Sequence, residues 1–298
     1  MNTKITLGTA NFGLRYGIAN NRMLSEPEAL LILEKAAGLG ISSVDTAQGY
    51  GEAERVLGTF FAQHGKLFEV VTKLSGREYT SSDDVAREVE ASLESLNIER
   101  IDVLLLHSFD TLQRFKEIVI PALEHYVRQG MIGRFGISVY HPHEIEATLA
   151  HLSGLNARLG AVQFPLNIFD RRFLKGGLLK TLEGIGTRCD ARSPFLQGLF
   201  FLGPETLSSQ FDTAKEKLRA LSAIAMENSV SVGALALLFA ASCDVDHVVL
   251  GVDSAVQLEM NLKWLTNGSS DGFAQIKHRL DELEVDSEDV ILPYRWKS

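Results

Sequence analysis

Cysteine is nearly missing from this chain: two residues in 298, Cys189 and Cys243, both in apolar runs. Two thiols cannot build a disulfide framework or a metal cluster by themselves. They read as buried free thiols in a reducing cytoplasm, and no metal site is expected. Basic runs are missing too. The formal net charge is −9, and no Lys/Arg stretch supplies the electrostatic footprint of a nucleic-acid partner. No uninterrupted apolar stretch approaches the ~18 residues of a membrane span, so no membrane partner is expected. The opening Met1-Asn2-Thr3-Lys4 leads directly into strand-like sequence, without the cationic flank and apolar core of a signal peptide or the Arg-rich helix of a transit peptide. No linker, low-complexity tract or charge block divides the chain. With 45% apolar and 22% charged residues, the expectation is one globular α/β domain over residues 1–298.

What is present is alternation. Apolar runs at Ile5–Gly8, Ser43–Asp45, Val70–Lys73, Ile101–His107, Phe135–Val139, Gly160–Phe164, Gly184–Ala191 and His247–Gly251 read as eight strands covered on both faces. Helical patterns lie between them. Ser25-Glu26-Pro27-Glu28 is a capping box with an early proline; Leu30, Leu33 and Ala37 follow on one face. Val85, Val89, Leu93 and Leu96 form a second stripe, and Leu112, Phe115, Val119, Ala122 and Tyr126 a third. Further helices are expected over 212–228, 231–242 and 254–265. Eight strands alternating with helices predict a closed (β/α)8 TIM barrel. A doubly wound sheet is the competitor, but no Gly-x-Gly-x-x-Gly stands between a strand and a helix.

The chemistry-bearing residues gather at strand ends. The second strand delivers Asp45, followed by Thr46-Ala47-Gln48-Gly49-Tyr50-Gly51. Lys73 ends the third strand and His107 the fourth. A phenol is a poor acid near neutrality, with an unperturbed pKa of about 10, and a neighbouring cation makes it a better one. Strand C-termini converge on one face of a barrel, where barrel chemistry is found. Taken singly, Asp45 could cap a helix, Tyr50 could pack, Lys73 could be solvated and His107 could be a loop histidine. Together they read as one proton-transfer site.

The run from Asp45 through Tyr50 to Glu54, Leu57 and Gly58, with Lys73 and His107 in their strand contexts, resembles the aldo-keto reductase signature. The resemblance extends from Leu7-Gly8-Thr9 to Asn261. It implies a bound nicotinamide dinucleotide and carbonyl–alcohol interconversion. Tyr50 would be the general acid/base and Lys73 would lower its pKa. Asp45 would hold Lys73, and His107 would orient the substrate oxygen. By the same resemblance Gly8, Thr9 and Ala10 approach the nicotinamide ribose, beside Asp45, and Ser138 and Gln163 meet the carboxamide. Arg192, Ser193, Phe195, Gln197 and Gly198 support the nicotinamide ring and pyrophosphate. Gly251, Asp253, Ser254, Gln257 and Asn261 form the adenosine turn. Two positions depart from the family. Arg192 stands where many relatives have an aromatic residue; it could stack, bind an anionic substrate group or pair with Asp190. Asp253 and Ser254 stand where NADP-preferring relatives place a cation, so NADP(H) and NAD(H) both remain open.

Loop residues Arg15, Tyr16, Arg77, Glu78, Tyr140 and His141 make a polar mouth, which suggests a polyhydroxylated or anionic small carbonyl such as a sugar derivative. The segment Leu292 to Trp296 could be a lid or a packing tail. The alternative to an enzyme is a nucleotide-binding regulatory subunit, as in channel-associated relatives. A Schiff-base enzyme using Lys73 is a third reading. A monomer or small homo-oligomer is expected.

Overall fold

The structure is a computed structural model and describes residues 4–155, 157–267 and 270–296. Eight parallel strands close in sequence order into a barrel. They are β1 (Lys4–Gly8), β2 (Ser43–Asp45), β3 (Glu69–Leu74), β4 (Ile101–Leu106), β5 (Ile132–Ser138), β6 (Ala161–Pro165), β7 (Arg188–Arg192) and β8 (His247–Gly251). Closure is made by β1 against β8, with Gly8 opposite Gly251.

The helices between strands are α1 (Glu26–Gly38), α2 (Ala53–His64), α3 (Ser82–Leu96), α4 (Phe109–Arg128), α5 (Pro142–Ser153), α6 (Leu178–Gly184), α7 (Asp212–Glu227) and α8 (Val232–Ala241). After β8 come α9 (Ala255–Asn267), α10 (Ser270–Asp281) and α11 (Glu288–Ile291). The capping box expected at α1 forms: Ser25 donates through both its backbone N–H and its hydroxyl to Glu28. The expected helices near 212–228, 231–242 and 254–265 are α7, α8 and α9.

Two strand starts are corrected. Strand five begins at Ile132 rather than Phe135. Strand seven does not begin at Gly184. Residues 178–184 form the short helix α6, which ends in a turn at Ile185–Gly186, and β7 starts at Arg188. Leu178, Leu179 and Leu182 pack against the barrel. A seven-residue helix is too short for its period to stand out from an apolar run.

Successive strand residues point to opposite faces. Val71, Val103, Leu105 and Ala161 form a small buried cluster separate from the large core between strands and helices. That cluster lies inside the barrel, so Lys73 and Gln163, two residues beyond Val71 and Ala161, also face inward. The pleat therefore places a lysine and an amide over an apolar plug at the C-terminal mouth. Gly136 allows β5 and β6 to come close: a Cβ there would fall 2.0 Å from the Ala161 carbonyl oxygen.

Candidate active site

Lys73 and Asp45 form a buried ion pair. Lys73 Nζ donates to Asp45 Oδ1 (2.7 Å), Asp45 Oδ2 (2.8 Å) and the Thr46 carbonyl (2.9 Å). An ammonium has three N–H donors, so all are occupied, and the residue is 1% exposed. Gln163 Nε2 donates to Asp45 Oδ2 at 2.7 Å. Tyr50 lies above this pair, with Lys73 Nζ 5.0 Å from its ring centre. The His107 ring meets Tyr50 edge-on, 5.8 Å between centroids.

The electrostatics differ from the sequence expectation at one point. Burial pushes the Tyr50 phenol well above its ordinary pKa; Asp45 and then Tyr140 add to the rise, and Arg192 opposes it. Lys73 is paired with Asp45 and its ammonium faces the Tyr50 ring. Burial also lowers Lys73, against the pull of Asp45. His107 is held down to about 4, first by burial and then by the positive charges of Lys73 and Arg192. At neutral pH the imidazole is uncharged and has one N–H to donate.

The glycines around the tyrosine have a steric task. A Cβ at Gly13 would lie 1.9 Å from the Tyr50 carbonyl oxygen, and one at Gly51, where φ is +58°, would lie 2.5 Å from the Gly13 carbonyl oxygen. The loop after β1 thus packs backbone-to-backbone against the residue that carries the phenol. Behind β3, the buried Glu54 carboxylate accepts from Thr72 (2.6 Å) and Ser92 (2.9 Å). Gln48 is tied to α3 through the Glu88 carbonyl and the Ser92 hydroxyl.

Tyr50 opens onto a cavity of about 550 Å³, within the usual range for a ligand site. Of the residues expected at a cofactor site, Gly8, Thr9, Ala10, Asp45, Gln163, Arg192, Ser193, Phe195, Gln197, Gly198, Gly251, Asp253, Gln257 and Asn261 line it. Ser138 and Ser254 do not. Ser138 is the register neighbour of Gln163, and Ser254 caps α9 by accepting from the Gln257 N–H (3.1 Å). The other half of that expected box shifts by one residue: Gln257 Oε1 accepts from the Asp253 N–H (2.6 Å).

The wall after β7 is unusual backbone. Ser193, Leu196 and Gln197 all have positive φ, at 62°, 45° and 50°. Such conformations cost about 1–3 kcal/mol each and persist where the surroundings hold them. Here Asn167 Nδ2 donates to the Ser193 carbonyl (3.2 Å), and the Ile18 N–H donates to the Gln197 carbonyl (2.9 Å). The same loop after β1 also reaches the turn after β8. Asn20 Nδ2 donates to Asp253 Oδ2 (2.7 Å), and Asn11 Nδ2 to Asp253 Oδ1 (3.2 Å) and the Val252 carbonyl (2.8 Å).

Sequence reasoning missed Asn20, Phe201, Met260 and Trp264 in this lining. The last two had a signal, because Gln257, Met260, Asn261 and Trp264 follow the i, i+3, i+4, i+7 spacing of one helix face. Asn20 had none, since its partner is 233 residues away. Neither Asp190 nor Arg192 behaves as a mutual partner. Asp190 pairs with Arg188 Nε at 2.7 Å, and Arg192 stacks on Tyr140 instead, 4.2 Å from the ring centre. The C-terminal segment packs rather than covers. Trp296 donates to the Val290 carbonyl (2.9 Å) and meets Phe211 edge-on, and Tyr294 lies edge-on to Tyr140 at 4.7 Å.

The fold is a closed parallel barrel that sets a buried ion pair, a tyrosine and a histidine at its C-terminal mouth, beside a cavity. A profile of the Aldo/keto reductase family matches residues 4–280, and the chain belongs to that family. Relatives include the L-glyceraldehyde 3-phosphate reductase of Escherichia coli (strain K12), 27% identical over 94% of this chain and 91% of the relative. Another is the L-galactose dehydrogenase of Arabidopsis thaliana, 26% identical over 90% and 86%. The protein is an oxidoreductase enzyme that interconverts carbonyls and alcohols, in a family that generally uses NAD(P)H. Its cavity fits such a dinucleotide. Two buried lining atoms, Asn261 Nδ2 and Asn11 Oδ1, have no hydrogen-bond partner among the described residues, one a donor and one an acceptor for a polar ligand. Among the described residues no group of His, Cys, Asp and Glu could hold a metal ion, and no single helix is long and apolar enough to cross a membrane.

Proposed function

We propose that this enzyme reduces a small polar aldehyde or ketone to its alcohol, and runs the reverse oxidation, with Tyr50 as general acid/base. The observation that carries the proposal is the Lys73–Asp45 pair beneath the Tyr50 ring, with His107 against its edge. The hydride would come from, or go to, a nicotinamide dinucleotide when one is bound. Tyr50 Oη gives its proton to the substrate oxygen as negative charge develops there, and its raised pKa keeps it protonated at neutral pH. His107, uncharged, donates a hydrogen bond to the same oxygen and orients it. Asp45, itself held by Gln163, and the Thr46 carbonyl hold Lys73 in place under the ring. In oxidation the deprotonated Tyr50 oxygen would accept the hydroxyl proton, a role its raised pKa disfavours at neutral pH. With its three donors engaged, Lys73 suits this role better than that of a Schiff-base nucleophile.

Gly8, Thr9, Ala10, Gln163, Ser193, Phe195, Gln197 and Gly198 would hold the nicotinamide and pyrophosphate end, and Gly251, Gln257 and Asn261 the adenosine end. The charge in the adenosine turn is the Asp253 carboxylate. The nearby cations are paired: Arg22, which feels Asp253, with Glu28, and Lys35 and Lys263 with Glu259, at 2.7 and 2.9 Å. A carboxylate repels a 2′-phosphate, so NAD(H) is the better-supported cofactor. The relatives named for L-glyceraldehyde 3-phosphate and L-galactose support a sugar-like carbonyl as substrate and turnover rather than a purely regulatory role. Two buried, unbridged thiols fit a cytoplasmic enzyme.

The test is titration with NADH and NADPH, followed by a panel of aldoses, polar aldehydes and apolar ketones. The expected result is tighter NADH binding and turnover of polar carbonyls. Absence of binding to either nucleotide would sink the reading, and turnover confined to bulky apolar ketones would overturn its substrate class.

A further inference from the structure

Arg192 is the one cation among the described residues lining the cavity. It ends β7, and its guanidinium stacks on Tyr140. The single hydrogen bond of its guanidinium among the described residues runs from Nη2 to the Val139 carbonyl (3.2 Å). A guanidinium carries five N–H donors in a planar fork, so most of the fork is left open to the cavity. No carboxylate among the described residues pairs with it; its strand neighbour Asp190 is taken by Arg188. The guanidinium is also close enough to act electrostatically on Tyr50, His107 and Lys73.

The other charges nearby do not compensate it. Asp45 also lines the cavity, but Lys73 and Gln163 occupy its oxygens. The remaining carboxylate of the lining, Asp253, sits at the far end in the grip of Asn11 and Asn20. The reacting end of the cavity therefore carries an unpaired positive charge at Arg192. A fork seated over one aromatic ring is positioned to receive a planar or tetrahedral oxyanion through its free N–H groups. One of its faces is already covered by Tyr140.

We propose that Arg192 is a specificity-determining residue that binds the carboxylate or phosphate of an anionic carbonyl substrate while Tyr50 acts on the carbonyl. This rests on the reading of Tyr50 as the proton donor, and it narrows the substrate class from polar to anionic carbonyls. Stacking beneath the cofactor ring is the competing use of this side chain.

The experiment compares matched substrates that differ in charge: glyceraldehyde 3-phosphate against glyceraldehyde, and succinic semialdehyde against butanal. The readout is the ratio of kcat/KM, anionic over neutral, in the wild type and in Arg192→Met and Arg192→Lys, with nucleotide Kd measured for each. The wild-type ratio is expected to exceed one and to fall with added NaCl. Arg192→Met should lower it on the order of 10- to 100-fold, the size of a lost charge-assisted hydrogen bond, with Arg192→Lys in between. The phosphate and carboxylate pairs separate the two sources of the anion. A wild-type ratio of one or less for both pairs overturns the proposal, whether or not the variants fold. So does an Arg192→Met enzyme whose nucleotide Kd rises while its ratio stays put, since Arg192 then serves the cofactor. If no carbonyl of either kind is reduced, it is the underlying catalytic reading that has failed.

Discussion

At the scale of single residues, the site depends on how completely Lys73 is satisfied. A buried ammonium survives only if paired, and here Asp45 and the Thr46 carbonyl take every proton. Removing one partner of such a pair costs about 3–5 kcal/mol, because the other charge is left buried. Lys73→Met is therefore expected to destabilise the fold by about that amount in urea unfolding, and an unchanged midpoint would show that Asp45 is solvated or protonated instead. The tetrad was legible in the sequence because each member closes an apolar strand or follows one closely. What was not legible is its coupling. Gln163 reaches Asp45 across 118 residues of chain, and no local pattern encodes that contact. Nor could the sequence tell that Lys73 would lie under the ring, where burial rather than the ammonium governs the phenol.

At the scale of elements, the strands and most helices were readable from apolar runs and caps, whereas the connections were not. The loop after β1 is the clearest case. Its composition offered only an aromatic pair and a charge. In the fold it braces Tyr50 through Gly13, meets the β7 loop at Gln197 and clasps the β8 turn at Asp253. These contacts arise because strand C-termini converge, which is a property of the closed barrel rather than of any segment. Gly13→Ala must move the Tyr50 backbone, since the added carbon would overlap its carbonyl oxygen. We expect a drop in kcat of about 10- to 100-fold, the scale of an ångström-level misplacement, with nucleotide Kd changed far less. Loss of both in equal measure would mean that the loop acts on the cofactor site and not on the tyrosine. The strained β7 wall is a further feature with no sequence signal beyond Gly198, because Ser193, Leu196 and Gln197 are not residues that announce a positive φ.

At the scale of the whole molecule, the barrel has a polar floor as well as a reactive mouth. Near the N-terminal ends of the strands Arg188 bridges Glu69 and Asp190, each at 2.7 Å, and His247 meets the Thr6 hydroxyl at 2.8 Å. His247 is held down to about 4, chiefly by burial and then by Arg188. Its unfolded value is 6.5, so between these limits the unfolded chain binds the extra proton. The stability it contributes is complete above pH 6.5 and is lost as pH falls toward 4, on the order of 3 kcal/mol. Asp190 works the other way. Burial pushes it up to about 6 from 3.8, so its protonation in the fold offsets part of that loss between those values. His247→Gln is expected to flatten the fall of Tm between pH 6.5 and 4.5; an unaltered slope would place the acid sensitivity elsewhere.

The central claim, that Tyr50 moves the proton in carbonyl reduction, is tested most directly by single-turnover and steady-state reduction in Tyr50→Phe beside a nucleotide-binding titration. The account predicts a fall in kcat of about 10²- to 10⁴-fold, the usual worth of a positioned general acid, with nucleotide Kd close to the wild-type value. A Tyr50→Phe enzyme that reduces the same carbonyl within a few-fold of the wild-type rate would contradict it.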